Sequence, residues 1–135
     1  MAWEAPLQSI GPLTASANFS SSKQQFVFVT STNGTSFKKV ATKGAHAIGV
    51  LQDTPSSGTA GDIMIAGITK LRCSSAHLGI VVGSAIISSS VGLGQKSTGV
   101  GQYVIGRALS ALTTNSSGII TLHLTFEGAG SSGQN

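Results

Sequence analysis

Apolar and polar residues alternate along several short stretches of this chain, and no long stretch shows the 3.6-residue period of an amphipathic helix. The clearest alternation spans residues 119–126. Its two faces are Ile119, Thr121, His123 and Thr125 against Ile120, Leu122, Leu124 and Phe126. Further strands are predicted at residues 24–30, 35–42, 46–52, 62–72, 79–83, 84–87 and 102–110. The pattern predicts an all-β fold, as a small antiparallel β-barrel or jelly-roll-like domain, because such folds leave few exposed strand edges.

The stretch 49–72 is the centre of this pattern. It reads as a short strand at 49–52, a polar loop at 53–61 and a second strand at 62–72. Apolar residues occupy both faces of the second strand, which predicts burial on both faces, as in a small barrel or a subunit interface. We therefore treat four of its residues as a hypothetical oligomer interface. They are Ile63, Met64, Ile65 and Ile68.

A weak internal repeat and a hairpin signal add detail. Residues 48–51 (IGVL) precede a polar loop and the apolar residues 63–65, and residues 105–109 (IGRAL) precede a polar loop and residues 119–121. Two such units would suit a pseudo-symmetric barrel, and chance similarity in Gly- and Ile-rich β sequence is the alternative. Asn33-Gly34 predicts a hairpin with a type I′ turn.

The first 22 residues have no clear period, and Pro6 and Pro12 exclude a helix there. We expect an extended N-terminal arm at 1–22, a β-barrel domain at 23–127 and a Gly/Ser-rich tail at 128–135. The arm carries five large apolar side chains, which a free polar tail would lack. One hypothesis is that they contact a neighbouring subunit, and the alternative is that they pack on the chain's own barrel. The residues are Trp3, Leu7, Ile10, Leu13 and Phe19.

The composition favours one folded domain in a chain of 135 residues. Charged residues make up 9% of the chain, against about 25% in typical proteins, so partners are expected to cover part of the surface. The net charge is +4, with small basic groups at 38–43 and 70–72. These groups read as solvated faces, because a nucleic-acid site would need a denser basic stripe with interleaved aromatic residues.

Catalytic chemistry finds little support in the residue pattern. The only cysteine, Cys73, cannot form an intramolecular disulfide, and its spacing from His77 suits a helix that this region does not predict. His46, His77 and His123 do not have the spacing of a metal site. We expect a non-enzymatic protein with no cofactor and no small-molecule substrate. No signal peptide or membrane-spanning pattern is evident, so no membrane partner is expected.

Residues 48–55 (IGVLQDTP), the later 58–62, and Gly67-Ile68-Thr69-Lys70 together resemble a family of bacteriophage capsid cement (head decoration) proteins. The late pattern at 101–109, with the spacing G-x-x-V-I-G-x-A-L, and the apolar strand at 119–126 are similar to the family as well. The resemblance covers residues 24–126. The loop 88–101 departs from the family, because it lacks the expected Asp-rich turn.

The resemblance implies a structural virion protein, made in the host cytoplasm, that binds the outside of an icosahedral head as trimers and stabilises it. Its partners would be the major capsid protein and its own copies, and it would need neither catalysis nor a cofactor. The neighbouring subunit contacted by the arm would then be the capsid shell or the next protomer. Two other functions stay open: a glycan- or host-surface-binding β module of a phage tail or appendage, and a small basic nucleic-acid-binding β-barrel.

Overall fold

The computed structural model describes residues 9–75 and 79–129, with side chains from residue 13 onward. This part of the chain contains ten strands and a single 3₁₀ turn at Ser22–Gln24. The strands are β1 (Ser9–Ala15), β2 (Phe28–Ser31), β3 (Ser36–Lys39), β4 (Gly49–Leu51), β5 (Ala60–Met64), β6 (Gly67–Cys73), β7 (Ala85–Ser88), β8 (Gly94–Lys96), β9 (Tyr103–Ala108) and β10 (Gly118–Ala129). No helix in the described ranges has the length and apolar character needed to cross a membrane. The predicted all-β class is confirmed.

The strands form two closed five-stranded barrels, where the sequence predicted one. The first has the strand order β1-β3-β2-β4-β5, and pairing between β1 and β5 closes it. The second has the order β6-β8-β7-β9-β10, and pairing between β6 and β10 closes it. All pairings are antiparallel except two, β1 with β3 and β6 with β8. Closure leaves neither sheet with a free edge strand.

The two barrels have the same topology, with each strand of the second barrel equivalent to the strand five places earlier. The two parallel pairings are equivalent, and so are the four antiparallel ones. The register agrees too, since Gly49 of β4 faces Val29 and Gly106 of β9 faces Ile86. The two copies of the sequence repeat fall on β4–β5 and β9–β10 respectively. Gly49 and Gly106 are therefore structurally equivalent residues.

Alternation along the strands of the first barrel sends side chains into two separate cores. Val27, Val29, Leu51 and Ile63 are buried in a cluster with residues of β1 and β3. The intervening residues Phe28 and Val50, which are cross-strand neighbours, belong instead to a cluster whose other members include residues of β6, β7, β9 and β10. The outer face of the first barrel is thus packed on the second barrel. A shared core joins the two.

The predicted single strand 62–72 is two strands that belong to different barrels. β5 ends at Met64, β6 begins at Gly67, and Gly67 has a φ of 92°, a conformation that favours glycine. Ile63 is buried in the first barrel, and Leu71 is buried in the cluster that contains the second. The apolar residues on both faces arise because the chain passes from one barrel core to the next within a few residues.

The expected arm contributes to the first barrel rather than extending from it. β1 lies within residues 1–22 and pairs with β3 and β5, while Leu13 and Phe19 are only 8% and 2% exposed in the core of the first barrel. A register shift between Ile10 and Leu13 interrupts the alternation, which is why the strand was not evident in the sequence. At the other end, β10 runs to Ala129, past the expected boundary at 127. Residues 1–8 and 130–135 lie outside the described ranges.

The hairpin predicted at Asn33-Gly34 is confirmed, because β2 and β3 pair across it. The type I′ turn is not, since only Gly34 of the two residues has a positive φ. The Asn33 carboxamide Oδ1 instead accepts hydrogen bonds from the backbone N–H groups of Thr35 and Ser36. Hydrogen bonds to the side chain of Asn33, rather than a positive φ at Asn33, thus stabilise the turn.

Candidate interaction surface

An exposed sheet surface on the second barrel, formed by β6, β10 and β9, is the candidate site. Along β6, and along β10 as far as Leu124, the residues alternate between the barrel interior and this outer surface. The register of the strand pairing brings the outward side chains into three rows across the strands. These are Ile68–His123–Arg107, Lys70–Thr121 and Arg72–Ile119. We call this surface, with Leu109 beside Thr121, the outer β6–β10–β9 face.

The outer β6–β10–β9 face combines aliphatic side chains with cations. Ile68, Ile119 and Leu109 are 61%, 45% and 41% exposed. They are three of the seven large apolar side chains that are exposed in the described ranges. Directly opposed residues on neighbouring antiparallel strands have Cβ atoms about 5 Å apart, so apolar and charged groups are intimately mixed here.

Arg107 is held in place by Glu127. Its Nε and Nη2 donate hydrogen bonds of 2.8 and 2.7 Å to the two carboxylate oxygens, and Thr125 Oγ1 donates to the same carboxylate. Between Leu124 and Gly128 the pairing of β10 with β9 shifts register, and Phe126 has a φ of 47°. This bulge brings Glu127 alongside Arg107. The hydrogen bond from Arg107 is the main reason that the pKa of Glu127 is lowered.

The other two cations of the face have no carboxylate of the described residues as an ion-pair partner. Arg72 donates hydrogen bonds from Nε to the carbonyl oxygen of Gln25 and from Nη2 to that of Ser22. These neutral acceptors fix the guanidinium without cancelling its charge. The Lys70 ammonium lies 6.0 Å from the ring centroid of Phe26, also a neutral contact. The face therefore keeps an excess of positive charge.

A shallow open depression of about 290 Å³ adjoins the face at Arg107. Val81 and Val82 form its apolar rim and are both more than half exposed, and Lys96 adds a further cation. Arg107 Nη1 donates a hydrogen bond to the carbonyl oxygen of Gly83, which ties the depression to the face. The mixture of aliphatic and cationic groups thus continues beyond the three strands.

The described residues that were considered for catalysis lie in three different surroundings. The Cys73 thiol is 1% exposed, and burial raises its pKa to about 12, so it remains protonated and weakly nucleophilic at neutral pH. His46 packs edge-on against Tyr103, with ring centroids 4.7 Å apart, and His123 lies on the outer β6–β10–β9 face. His77 is outside the described residues. No cluster of three metal-ligating side chains occurs in the described ranges.

The residues predicted to form interfaces differ in how far they are buried. Ile63 is fully buried inside the first barrel, and Met64 and Ile65 are partly buried against the chain's own core clusters. Of the four, Ile68 alone is freely exposed. Of the five arm residues, Leu13 and Phe19 are buried in the core, and the side chains of Trp3, Leu7 and Ile10 lie outside the described part of the chain.

Sequence reasoning missed the outer β6–β10–β9 face, although a signal was present. Residues 68–73 alternate Ile68, Lys70 and Arg72 with Thr69, Leu71 and Cys73. The first set is outward and the second is buried. Reading 62–72 as one two-faced apolar strand obscured this alternation, and Lys70 and Arg72 were interpreted as an ordinary solvated group.

Comparisons with known proteins identify a similar fold. No protein-family model matches the chain, and no curated protein matches it. Among solved structures, the chain is similar to the N base of the head fiber gp8.5 of bacteriophage phi29, with a TM-score of 0.63. The similarity covers 91% of this chain and 98% of that chain, at 12% sequence identity.

Proposed function

We propose that this protein is a non-enzymatic structural protein of a bacteriophage head, which binds the outer surface of the capsid and stabilises it as a cement protein. The observation that carries the proposal is the similarity of fold to a phage head fiber base, which extends over nearly the whole length of that base. The sequence resemblance to head decoration proteins supports the same conclusion by a separate route. The partner is then the major capsid protein.

The chemistry of the described residues favours binding over catalysis. The cysteine is buried and protonated at neutral pH, and exposed aliphatic and cationic side chains share one sheet face of the second barrel. An exposed surface with aliphatic and cationic groups suits a protein partner. The protein would then act through contacts alone, with no cofactor.

Assembly as a homotrimer is part of the proposal. A cyclic trimer would match the threefold and pseudo-threefold positions of an icosahedral shell. The low charge of the chain, 9%, favours burial of surface between copies. Trp3 and Leu7, which precede β1, are the remaining candidates for an arm that contacts the shell or the next protomer. Several weak contacts repeated over three chains would add by avidity.

The test uses phage heads that lack the protein. Purified protein should bind these heads to saturation in a sedimentation assay, and decorated heads should withstand heat or low salt better than bare ones. Electron micrographs should show added density on the outer surface. Absence of binding to heads, together with binding to a glycan or to DNA, would contradict the proposal.

The arm and the trimer are tested separately. Deleting residues 1–8 leaves β1 intact, so the truncated protein should fold and yet bind heads more weakly. Unchanged affinity would exclude a clamping role for Trp3 and Leu7. Light scattering of the full chain and counting of copies on decorated heads test the trimer, and single copies on the heads would rule it out.

A further inference from the structure

The structure assigns a specific docking surface. We infer that the outer β6–β10–β9 face, with the adjoining rim of Val81 and Val82, binds an acidic protein surface on the outside of the head shell. This inference rests on the proposed function and names the part of the molecule that makes the contact.

The first argument is the concentration of exposed apolar side chains. Ile68, Ile119 and Leu109 lie on the face, and Val81 and Val82 border it at Arg107. These are five of the seven large apolar residues that are exposed in the described ranges. Single exposed aliphatic residues need no explanation, but the concentration of five of the seven in one region of the second barrel favours an interaction site there.

The second argument is the use of the equivalent face in the first barrel. Phe28, Val50 and Met64 form a row across β2, β4 and β5, and this row is packed against the second barrel. The equivalent row in the second barrel is Ala85, Arg107 and His123, across β7, β9 and β10. Ala85 is itself buried, whereas Arg107 is partly exposed and His123 is exposed. Within one molecule, this side of the barrel is therefore packed against the other barrel in one copy and left open at Arg107 and His123 in the other.

The third argument, from charge, identifies the occupant. Lys70 and Arg72 are not neutralised by any carboxylate of the described residues, and Arg107 already holds Glu127. A partner that buried these cations without supplying carboxylates would leave charges desolvated and unpaired, at a large cost in free energy. The partner must therefore present acidic groups among apolar ones.

A second copy of this chain cannot easily supply that chemistry. Two copies related by a twofold axis through this face would bring cations against cations. Of the three carboxylates in the described ranges, Glu127 is already paired, so a neighbouring copy would present Asp53 and Asp62. None of the exposed large apolar residues lies in the stretch 49–64 that carries these two, so the acidic groups would not come among apolar ones. Nucleic acid would supply the negative charge but would not use the exposed aliphatic groups.

The test compares two face variants with two matched controls. Lys70→Glu reverses a charge on the face, and Lys38→Glu makes the same change on an exposed residue of β3 in the first barrel. Ile68→Thr removes an exposed aliphatic group from the face, and Val91→Thr replaces a methyl group by a hydroxyl on an exposed aliphatic residue elsewhere. Thermal unfolding of each variant verifies the fold before binding is measured.

Binding of each full-length variant to heads lacking the protein is measured by sedimentation at several salt concentrations. We expect Lys70→Glu and Ile68→Thr each to weaken binding by about tenfold or more, with both controls within about twofold of wild type. Lys70→Glu should also reduce the salt dependence of binding. Face variants that bind like wild type would overturn the inference and leave the proposed function intact.

Failure of the wild type to bind heads would overturn both the proposed function and this inference. Two further measurements test the alternative occupants of the face, a second copy of the chain and nucleic acid. If Lys70→Glu dissociates a trimer in analytical ultracentrifugation and leaves head binding unchanged, the face joins copies of the chain and the inference is wrong. If wild type binds a 20-base-pair DNA duplex more tightly than heads and Lys70→Glu abolishes that binding, the occupant is nucleic acid and the inference is wrong.

Discussion

At the scale of single residues, position in the fold decides what a side chain does more than its type. Val50 and Arg107 occupy equivalent positions in the two barrels. Val50 is fully buried between the barrels, whereas the Arg107 side chain is 30% exposed and pairs with Glu127. The same contrast separates Met64 from His123. In each pair, the residue of the first barrel packs against the second barrel, and its equivalent in the second barrel lies on the outer surface.

The Arg107–Glu127 pair makes a small and pH-dependent contribution to stability. Because the pKa of Glu127 is lower in the folded state than in the unfolded chain, its contribution is present above the unfolded-state pKa and is lost as the pH falls through the folded-state pKa. We expect Glu127→Gln to lower the free energy of unfolding at neutral pH by about 1 kcal/mol or less, since the pair is near the surface.

Urea denaturation of wild type and Glu127→Gln over a pH series measures this contribution. The difference between the two proteins should shrink towards zero in acid and should also shrink at high salt. A difference that persists at a pH where Glu127 is protonated would show that the carboxylate acts through packing instead of charge.

At the scale of elements, the strands with regular alternation could be predicted and the irregular ones could not. β10 was evident because Ile120, Leu122 and Leu124 alternate without interruption, and all three are buried. β1 was missed because a register shift lies between Ile10 and Leu13. The stretch 88–101 that contains β8 was read as a long exposed loop or a weak hairpin, because the three residues 94–96 are too few and too polar to show a period. The antiparallel pairing of β7 with β8 agrees with the hairpin. Strand pairing through the backbone forms both elements without requiring a sequence signal.

The candidate surface could be predicted only in part for a related reason. The alternation of Ile68, Lys70 and Arg72 gives the outward side of one strand. Placing Arg107 and Ile119 beside them requires the pairing partners of β6 and β10, and two of those contacts join residues far apart in the chain. Sequence pattern does not specify such long-range register.

Substitution of the equivalent glycines of β4 and β9 tests how closely each strand approaches its paired strand. A methyl group at Gly49 would overlap the carbonyl oxygen of Met64 on β5, and one at Gly106 would overlap that of His123 on β10. Both obstacles are backbone atoms of a paired strand, which cannot move aside as a flexible side chain would. We expect Gly49→Ala and Gly106→Ala each to cost about 1–3 kcal/mol of unfolding free energy.

Gly99→Ala is the matched control, because a methyl group there meets nothing within 4 Å and its φ is not positive. Its stability should equal or slightly exceed that of wild type. Thermal and urea unfolding give the three values. If Gly49→Ala and Gly106→Ala were as stable as Gly99→Ala, the close approach of the paired strands would be refuted.

At the scale of the whole molecule, the two barrels are joined through a shared core. Phe28, Val40, Ala47 and Val50 of the first half pack in one cluster with residues of the second barrel. Backbone hydrogen bonds also cross between the halves, from Phe28 to Gly92 and from Tyr103 to Gly44. The barrels should therefore unfold in a single transition.

Truncation of the shared core should weaken both barrels together. Val50→Ala removes two methyl groups from a fully buried position, whereas Val91→Ala makes the same change at a half-exposed one. We expect Val50→Ala to cost about 2 kcal/mol and Val91→Ala to be close to neutral. Hydrogen exchange should show faster opening of amides in both β3 and β9 for Val50→Ala. Faster exchange in β3 alone would indicate that the barrels unfold independently.

The equivalence of the two barrels also determines how many faces of this kind one chain offers to a partner. A chain built from two copies of one barrel could in principle offer two equivalent outer faces to its surroundings, but Phe28, Val50 and Met64 take up the first of them inside the molecule. Each chain is left with a single face of this kind, at Arg107 and His123. Through this face alone, a monomer would attach to a repeating lattice at one point. Bridging between neighbouring lattice units would then require a second contact, either from the proposed arm or from joining chains together.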